Sequence, residues 1–174
     1  MSPPTLTVFV GLPGCGKSTE ALRLLVEAAR GGRRAVRLGR DALRDGMSTP
    51  DTYRRPDTED AVTIVQRAGI RDLLAAGWDV IVDDTSFRPE FVAWFRAAAA
   101  DTGARFVLID MSDVPLETCI ERDGRRPWRG YPPWRWEGAQ VAEPIIRLMH
   151  RTWLAARPAC DDNDAVASPD DEDG

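Results

Sequence analysis

This chain of 174 residues is poor in the side chains on which several large classes of functional site depend. It contains a single histidine, His150, and three cysteines whose positions follow no metal-ligand spacing. These shortages disfavour a zinc site, a Ser-His-Asp hydrolase and a disulfide framework. The sequence also has no apolar run of membrane-spanning length and no recognisable signal peptide. We therefore expect a protein of the reducing cytoplasm that does not associate with membranes.

Lysine is almost absent as well. Lys17 is the only lysine, whereas 22 arginines carry the remaining positive charge. A compact ammonium group on a slim stem suits a position between phosphates. The one position at which the sequence has a lysine is therefore a candidate phosphate-binding position. The shortage of lysine also excludes the Asn-Lys-x-Asp motif with which GTPases read guanine. Lys17 belongs to a match to the phosphate-binding pattern G-x-x-x-x-G-K-[ST], namely Gly11-Leu12-Pro13-Gly14-Cys15-Gly16-Lys17-Ser18-Thr19.

The residues around this loop fit the strand, loop and helix arrangement that phosphate binding requires. The apolar run Thr5–Val10 predicts a buried strand, and the apolar spacing over 18–30 predicts a helix. Loop N–H groups and the helix N-terminus attract an anion, and the Ser18 hydroxyl is placed to bind Mg²⁺. A glycine-rich turn without a ligand is the alternative. The predicted phosphate site consists of Gly11, Pro13, Gly14, Cys15, Gly16, Lys17, Ser18 and Thr19.

Strand and helix patterns alternate along the rest of the chain. This alternation predicts an α/β fold with a four-stranded, mostly parallel sheet flanked by helices. Ligands of such sheets bind at the carboxyl ends of the strands. We assign residues 1–160 to one domain. Further strands are predicted over 35–38, 78–82 and 104–109, and further helices over 57–76, 89–100, 115–123 and 142–156.

Acidic residues follow two of the predicted strands. Asp41 comes after the second strand, where a carboxylate beside the phosphate loop is suited to accept a proton from an attacking hydroxyl. Arg44 shares its face if the segment is helical, and an aspartate that caps a short helix is the alternative. Asp83 and Asp84 end the third strand, and one of them is expected to serve Mg²⁺. Strand alternation does not fix which one, and we favour Asp84.

The segment 122–136 combines five arginines and four aromatic residues with several glycines and prolines. Glycine and proline disfavour a long helix, so this segment is predicted to be a loop or lid. Guanidinium groups over a nucleotide neutralise charge on a transferring phosphoryl group, and aromatic residues among arginines suit a nucleic-acid strand. Trp128 and Trp134 are therefore candidate substrate contacts. Anchoring of the loop to the core by these tryptophans is the alternative.

The net charge of −5 is distributed unevenly. Residues 161–174 contain seven acids and no base, so residues 1–160 carry a net charge of +2. The body of the protein is thus compatible with a polyanionic partner. Residues 161–174 are predicted to form a disordered acidic tail, and an autoinhibitory mimic of nucleic acid is the alternative.

With these residues in view, the chain resembles the P-loop polynucleotide 5′-hydroxyl kinases of bacteriophages and bacterial RNA repair systems. The resemblance covers about residues 5–156. It implies a P-loop kinase fold with an arginine-rich lid over about 122–136, ATP or another NTP as phosphate donor, Mg²⁺, and a nucleic acid 5′ end as acceptor. It rests on the phosphate loop, Arg40-Asp41-Ala42-Leu43-Arg44, Asp84-Thr85-Ser86-Phe87-Arg88-Pro89-Glu90 and Arg122-Asp123-Gly124-Arg125-Arg126.

The same resemblance implies roles for individual residues. Asp41 would be the general base on the acceptor hydroxyl, and Arg44 would contact the acceptor's phosphate or the transferring group. Arg122 and Arg126 would be lid residues on the donor phosphates. The remaining candidates are Lys17 and Ser18 on the donor phosphates, Asp84 near the metal, and Thr85, Ser86 and Arg88 as substrate contacts.

The acceptor is the part of this assignment with the most alternatives. Kinases of small molecules or nucleosides share the phosphate loop, and so do kinases of a hydroxymethyl group on a modified pyrimidine in phage DNA. A non-catalytic ATP-binding module is a third class, and it would need no acceptor-side base such as Asp41. No Asp-x-Asp-x-Thr signature is present, so no 3′-phosphatase half is expected. The oligomeric state stays open.

Overall fold

The computed structural model describes residues 2–49, 51–125 and 143–156. Each strand in these ranges is followed by one or two helices. In chain order the elements are β1 (Thr5–Val10), α1 (Lys17–Arg30), β2 (Ala35–Arg37), α2 (Arg40–Met47), α3 (Pro56–Ala75), β3 (Asp79–Val82), α4 (Pro89–Asp101), β4 (Arg105–Asp110), α5 (Leu116–Gly124) and α6 (Glu143–Ala156).

The four strands form one parallel sheet in the order β2-β3-β1-β4. Val8 of β1 pairs with Val82 of β3 on one side and with Leu108 of β4 on the other. β1 is therefore a central strand, and it leads directly into the phosphate loop. Because all strands are parallel, the loop and the residues after β2 and β3 meet at one edge of the sheet.

Alternate side chains of the central strands enter two separate apolar clusters. Leu6 and Val8 pack with Ile70 of α3 and Phe95 of α4 on one face. On the opposite face, Phe9 of β1 and Ile81 of β3 pack with Ala21 of α1. Burial on both faces explains why these strands are continuous apolar runs rather than alternating patterns.

The predicted α/β fold with a parallel sheet is confirmed. The bounds of β1 agree with the prediction, and the other predicted elements begin and end within about two residues of it. The segment of Asp41 and Arg44, expected to share a face only if helical, is the helix α2. The predicted tail and most of the predicted lid lie outside the described residues. No helix in the described ranges has the length and apolar character needed to cross a bilayer.

Candidate active site

The phosphate loop joins the end of β1 to the start of α1. Lys17 is buried, and its Nζ donates hydrogen bonds to the carbonyl oxygens of Gly11 and Leu12, both at 2.8 Å. Its ammonium charge is thus held among the backbone groups of the loop. A positive centre surrounded by loop backbone at a helix N-terminus is the arrangement that attracts a nucleotide phosphate.

Gly14 brings the phosphate loop against α5. Its φ of +86° lies in the left-handed region, and a Cβ atom there would lie 2.1 Å from the carbonyl oxygen of Cys119. Only glycine fits such an approach of two backbones. Arg122 is one turn further along α5, and its guanidinium lies 3.5 Å from the carbonyl oxygen of Cys15. The fold therefore places this predicted lid arginine next to the loop.

Asp83, at the end of β3, lies against the first turn of α1. Its carboxylate accepts a hydrogen bond from the Ser18 hydroxyl at 2.7 Å and two from the Arg37 guanidinium at 2.8 and 2.6 Å. Burial by itself would raise the pKa of Asp83, but the bonds from Arg37 and Ser18 outweigh it and lower the pKa. The carboxylate is therefore ionised at neutral pH, beside the hydroxyl that the sequence predicts to bind Mg²⁺.

Asp84 points to a different part of the fold. Its carboxylate accepts hydrogen bonds from the backbone N–H of Arg40 at 2.7 Å and from the side-chain amide of Gln66 at 2.6 Å. Burial is the largest influence on this group and raises the pKa of Asp84. The sequence favours Asp84 over Asp83 as the carboxylate near the metal; that role stays a prediction, and it is Asp83 that the structure brings to Ser18. Asp84 fixes the start of α2 through the N–H of Arg40.

Gly39 lets α2 begin close to this pair of acids. A Cβ atom at Gly39 would lie 2.6 Å from Oδ1 of Asp83. Any other residue at this position would displace the carboxylate or the start of the helix. The first turn of α2 is thus fixed relative to the phosphate loop through Asp83 and Asp84 together.

The first turn of α2 presents Asp41 at the same edge of the sheet. The Asp41 side chain is 68% exposed, and it accepts a hydrogen bond from the buried Arg44 at 2.5 Å. Arg44 also donates two hydrogen bonds to Glu59 of α3, and Arg40 donates to the same carboxylate at 2.8 Å. Glu59 therefore holds both arginines of α2, and the structure brings the predicted pair Asp41 and Arg44 together.

The residues after β3 contact the phosphate loop through their backbone, and one of them presents an exposed side chain. The Gly11 N–H donates to the carbonyl oxygen of Thr85 at 3.3 Å, which ties the phosphate loop to the end of β3. Ser86 is buried with a φ of +40°. Arg88 is exposed, and its guanidinium lies 5.9 Å from the centre of the Phe91 ring. Of these predicted substrate contacts, only Arg88 has an exposed side chain.

Comparison with protein families assigns the chain to a family. The AAA_33 family model, an AAA domain, matches residues 6–144, which is well over half of the sequence. The chain belongs to this family. The match spans the phosphate loop, α2, the end of β3 and α5. No curated protein sequence matches the chain.

Solved structures similar to this AAA_33 domain share a P-loop kinase-like fold. One is a chain of the Pnkp1/Rnl/Hen1 RNA repair complex, with a TM-score of 0.69 and 22% identity over 90% of this chain and 46% of that chain. A chain of the Pnkp1/Rnl/Hen1 complex in another structure has a TM-score of 0.60 and 27% identity over 70% and 40%. This protein thus spans less than half of either chain.

A third similar structure is a small-molecule kinase. The Mycobacterium tuberculosis APS kinase CysC in complex with AMPPNP and APS has a TM-score of 0.58 and 30% identity over 71% of each chain. The three structures together support a kinase-like domain with a nucleotide-binding loop. Two of them belong to Pnkp1/Rnl/Hen1 complexes, and the third is a kinase in complex with AMPPNP and APS.

Three predicted site residues, Arg126, Trp128 and Trp134, lie outside the described residues. Sequence reasoning also missed three residues that shape the site: Arg37, Glu59 and Gln66. Arg37 ends β2, and its position at the carboxyl end of a strand was the available signal. Glu59 and Gln66 lie within the sequence pattern of a long helix. Their contacts to α2 and Asp84 are between residues distant in sequence, so the local pattern does not indicate them.

Proposed function

We propose that this protein is a polynucleotide kinase that transfers the γ-phosphate of ATP or another NTP to a 5′-hydroxyl end of DNA or RNA. The observation that carries the proposal is the pairing of two elements at one edge of the sheet. The phosphate loop supplies a donor site, and α2 supplies an exposed carboxylate backed by a buried arginine. Asp83 and Asp84 connect the two through Ser18 and Arg40.

The donor side of the proposed reaction is built from the phosphate loop. Lys17 would neutralise the β- and γ-phosphates, with the backbone N–H groups of the loop as further donors. Ser18 and Asp83 fit a magnesium ion, because they place two oxygen ligands side by side and Mg²⁺ is commonly held by few protein groups plus substrate phosphates. When bound, Mg²⁺ would neutralise charge on the phosphates. Gly11, Pro13, Gly14, Cys15, Gly16 and Thr19 would complete the phosphate cradle.

On the acceptor side, Asp41 would orient the attacking hydroxyl and take its proton. Arg44 would hold the acceptor, because its guanidinium is already fixed by Asp41 and Glu59 and needs little further ordering. Arg122 lies against the phosphate loop, where it would stabilise charge on the transferring group. Arg126 would act with it.

A nucleic acid acceptor is supported by the exposed residues at the start of α4, the helix that follows β3. Arg88 and Phe91 form an exposed arginine and aromatic pair at the start of α4, and such pairs grip backbone phosphates and stack on bases. Thr85 and Ser86 join α4 to the site. Similarity to chains of the Pnkp1/Rnl/Hen1 complexes supports the same acceptor class. In this proposal Trp128 and Trp134 contact the acceptor strand as well.

A small-molecule kinase is the second candidate, and a specific observation favours it. The similarity to APS kinase CysC has higher sequence identity than the similarity to either Pnkp1 complex chain. Both candidates use the same donor site and differ only in what lies beside Asp41. The two functions therefore separate on the identity of the phosphorylated acceptor.

The test is a labelling experiment with γ-labelled ATP and a panel of acceptors. The panel contains 5′-hydroxyl oligonucleotides of DNA and RNA, duplex DNA with hydroxymethylpyrimidines, nucleosides and APS. We expect label at the 5′ end of an oligonucleotide, and strongly reduced labelling with Lys17→Ala or Asp41→Asn. Label on APS or a nucleoside alone would replace the proposal with a small-molecule kinase. Nucleotide binding without label on any acceptor would support a non-catalytic module.

A further inference from the structure

Beyond Asp41, an arginine and tyrosine array leads away from the site along the loop between α2 and α3. The Arg44 guanidinium lies 5.7 Å from the centre of the Tyr53 ring, and the Arg54 guanidinium lies 5.8 Å from the same ring. Tyr53 therefore contacts two cations, one buried beside Asp41 and one at the surface. The array begins at the predicted catalytic carboxylate and ends in solvent.

Arg54 is held in an unusual backbone conformation. Its φ of +60° lies in the left-handed region, which side chains other than glycine adopt only at an energetic cost. The neighbouring backbone is well supported: the Tyr53 N–H donates to Thr49 at 2.9 Å, and the Arg55 N–H donates to Thr52 at 3.1 Å. The Thr58 hydroxyl also donates to Thr52, at 2.9 Å. These bonds fix a strained turn that presents Arg54 outward.

Arg54 also differs from the other arginines at this edge of the sheet. Five of the others lie within 4.0 Å of a carboxylate, whereas Arg54 forms no ion pair within the described ranges. A guanidinium that is presented by a rigid turn and lacks an acidic neighbour there is available for an external anion. The paired arginines are Arg37 with Asp83, Arg40 with Glu59, Arg44 with Asp41 and Glu59, Arg55 with Asp57, and Arg88 with Glu90.

We propose that Arg54, supported by the Tyr53 ring, binds an internucleotide phosphate of a single-stranded acceptor downstream of the nucleoside that Asp41 and Arg44 hold. This inference rests on the proposed function, because it extends the same acceptor site by one subsite. A strand whose 5′ end lies at Asp41 would pass Arg44 and Tyr53 before reaching Arg54. The subsite increases the affinity for longer acceptors. It contacts the phosphate backbone of the nucleic acid and does not distinguish its bases.

The test compares two acceptors that differ in length. A nucleoside 3′-monophosphate fills only the first positions, whereas a 5′-hydroxyl octanucleotide also reaches Arg54. We expect Arg54→Ala to lower kcat/KM for the octanucleotide by about 3- to 10-fold and to leave the nucleoside 3′-monophosphate unchanged. The log-log salt dependence for the octanucleotide should become shallower by about 0.7, the loss of one phosphate contact. Arg54→Gly, which suits a positive φ, removes the side chain without straining the turn.

The matched control is Arg30→Ala, an exposed arginine at the far end of α1, which should change neither acceptor. Equal losses on both acceptors, or an unchanged octanucleotide and salt dependence, would overturn the Arg54 subsite while the proposed function stands. If the wild type phosphorylates neither acceptor, the proposed function fails. In that case, fluorescence anisotropy of a labelled octanucleotide measures binding to the wild type and to Arg54→Ala. Weaker binding by Arg54→Ala supports the subsite, whereas equal binding by the two proteins, or no binding by the wild type, overturns it.

Discussion

Glu59 offers a sharp test of how α2 is held beside the phosphate loop. Its carboxylate receives hydrogen bonds from Arg44 and Arg40. The bonds from Arg44, and then from Arg40, outweigh the opposing effect of burial and lower the pKa of Glu59 from 4.5 to about 2. A group whose pKa falls on folding stabilises the folded state, so Glu59 links pH to the position of Asp41.

The size of this contribution follows from the pKa. A fall from 4.5 to about 2 corresponds to at most about 3 kcal/mol in the free energy of unfolding at neutral pH. The Glu59 side chain is 30% exposed, so solvent screening reduces the expected value to about 1–2 kcal/mol. Because the folded pKa is the lower one, the stabilisation is complete above about pH 5 and is lost as the pH falls towards about 2.

The assay is urea unfolding of the wild type and Glu59→Gln at about pH 7, 5 and 3. Glutamine keeps the size of the side chain but lacks the charge, so we expect a difference of about 1–2 kcal/mol at pH 7 that falls to less than half by pH 3. Glu27→Gln, which removes an exposed partner of Arg23, should differ from the wild type by less than about 0.5 kcal/mol at each pH. A Glu59→Gln difference that stays constant with pH would refute this reasoning.

Three further predictions concern the site itself. Asp41→Asn should lower kcat by about 10²- to 10⁴-fold with an unchanged Kd for ATP in calorimetry, and a loss of ATP affinity would place Asp41 on the donor side. Gly39→Ala should destabilise the fold by about 1–3 kcal/mol through its clash with Asp83, whereas Gly46→Ala, in open space within α2, should stabilise it by about 0.5–1 kcal/mol. Equal urea midpoints for the two glycine variants would contradict the close approach. Trp128→Ala should raise KM for an oligonucleotide more than KM for ATP, and equal effects would favour a packing role.

Local sequence signals were sufficient for much of the fold. A window of some 25 residues is enough to predict the apolar run of β1, the glycine loop and the helix that follows. Each of them depends on residues that are neighbours in the chain. Asp41 was also predicted correctly as a residue at the carboxyl edge of the sheet, since it directly follows a strand. Its catalytic role stays a prediction.

The choice between Asp83 and Asp84 shows where such reasoning stops. Strand alternation places the two acids on opposite sides, but their roles depend on Ser18, far back in the chain, and on Gln66 in α3. Neither partner can be read from the local pattern. Arg37 was missed for the same reason, because its contact with Asp83 forms only when β2 and β3 pair in parallel.

The contact between Gly14 and the Cys119 carbonyl has a mechanical consequence. With no side chain between the two backbones, α5 cannot slide along the phosphate loop without pushing the loop itself. Arg122 lies on the same helix, so in the proposed function a nucleotide that orders the loop would also set how far that guanidinium reaches.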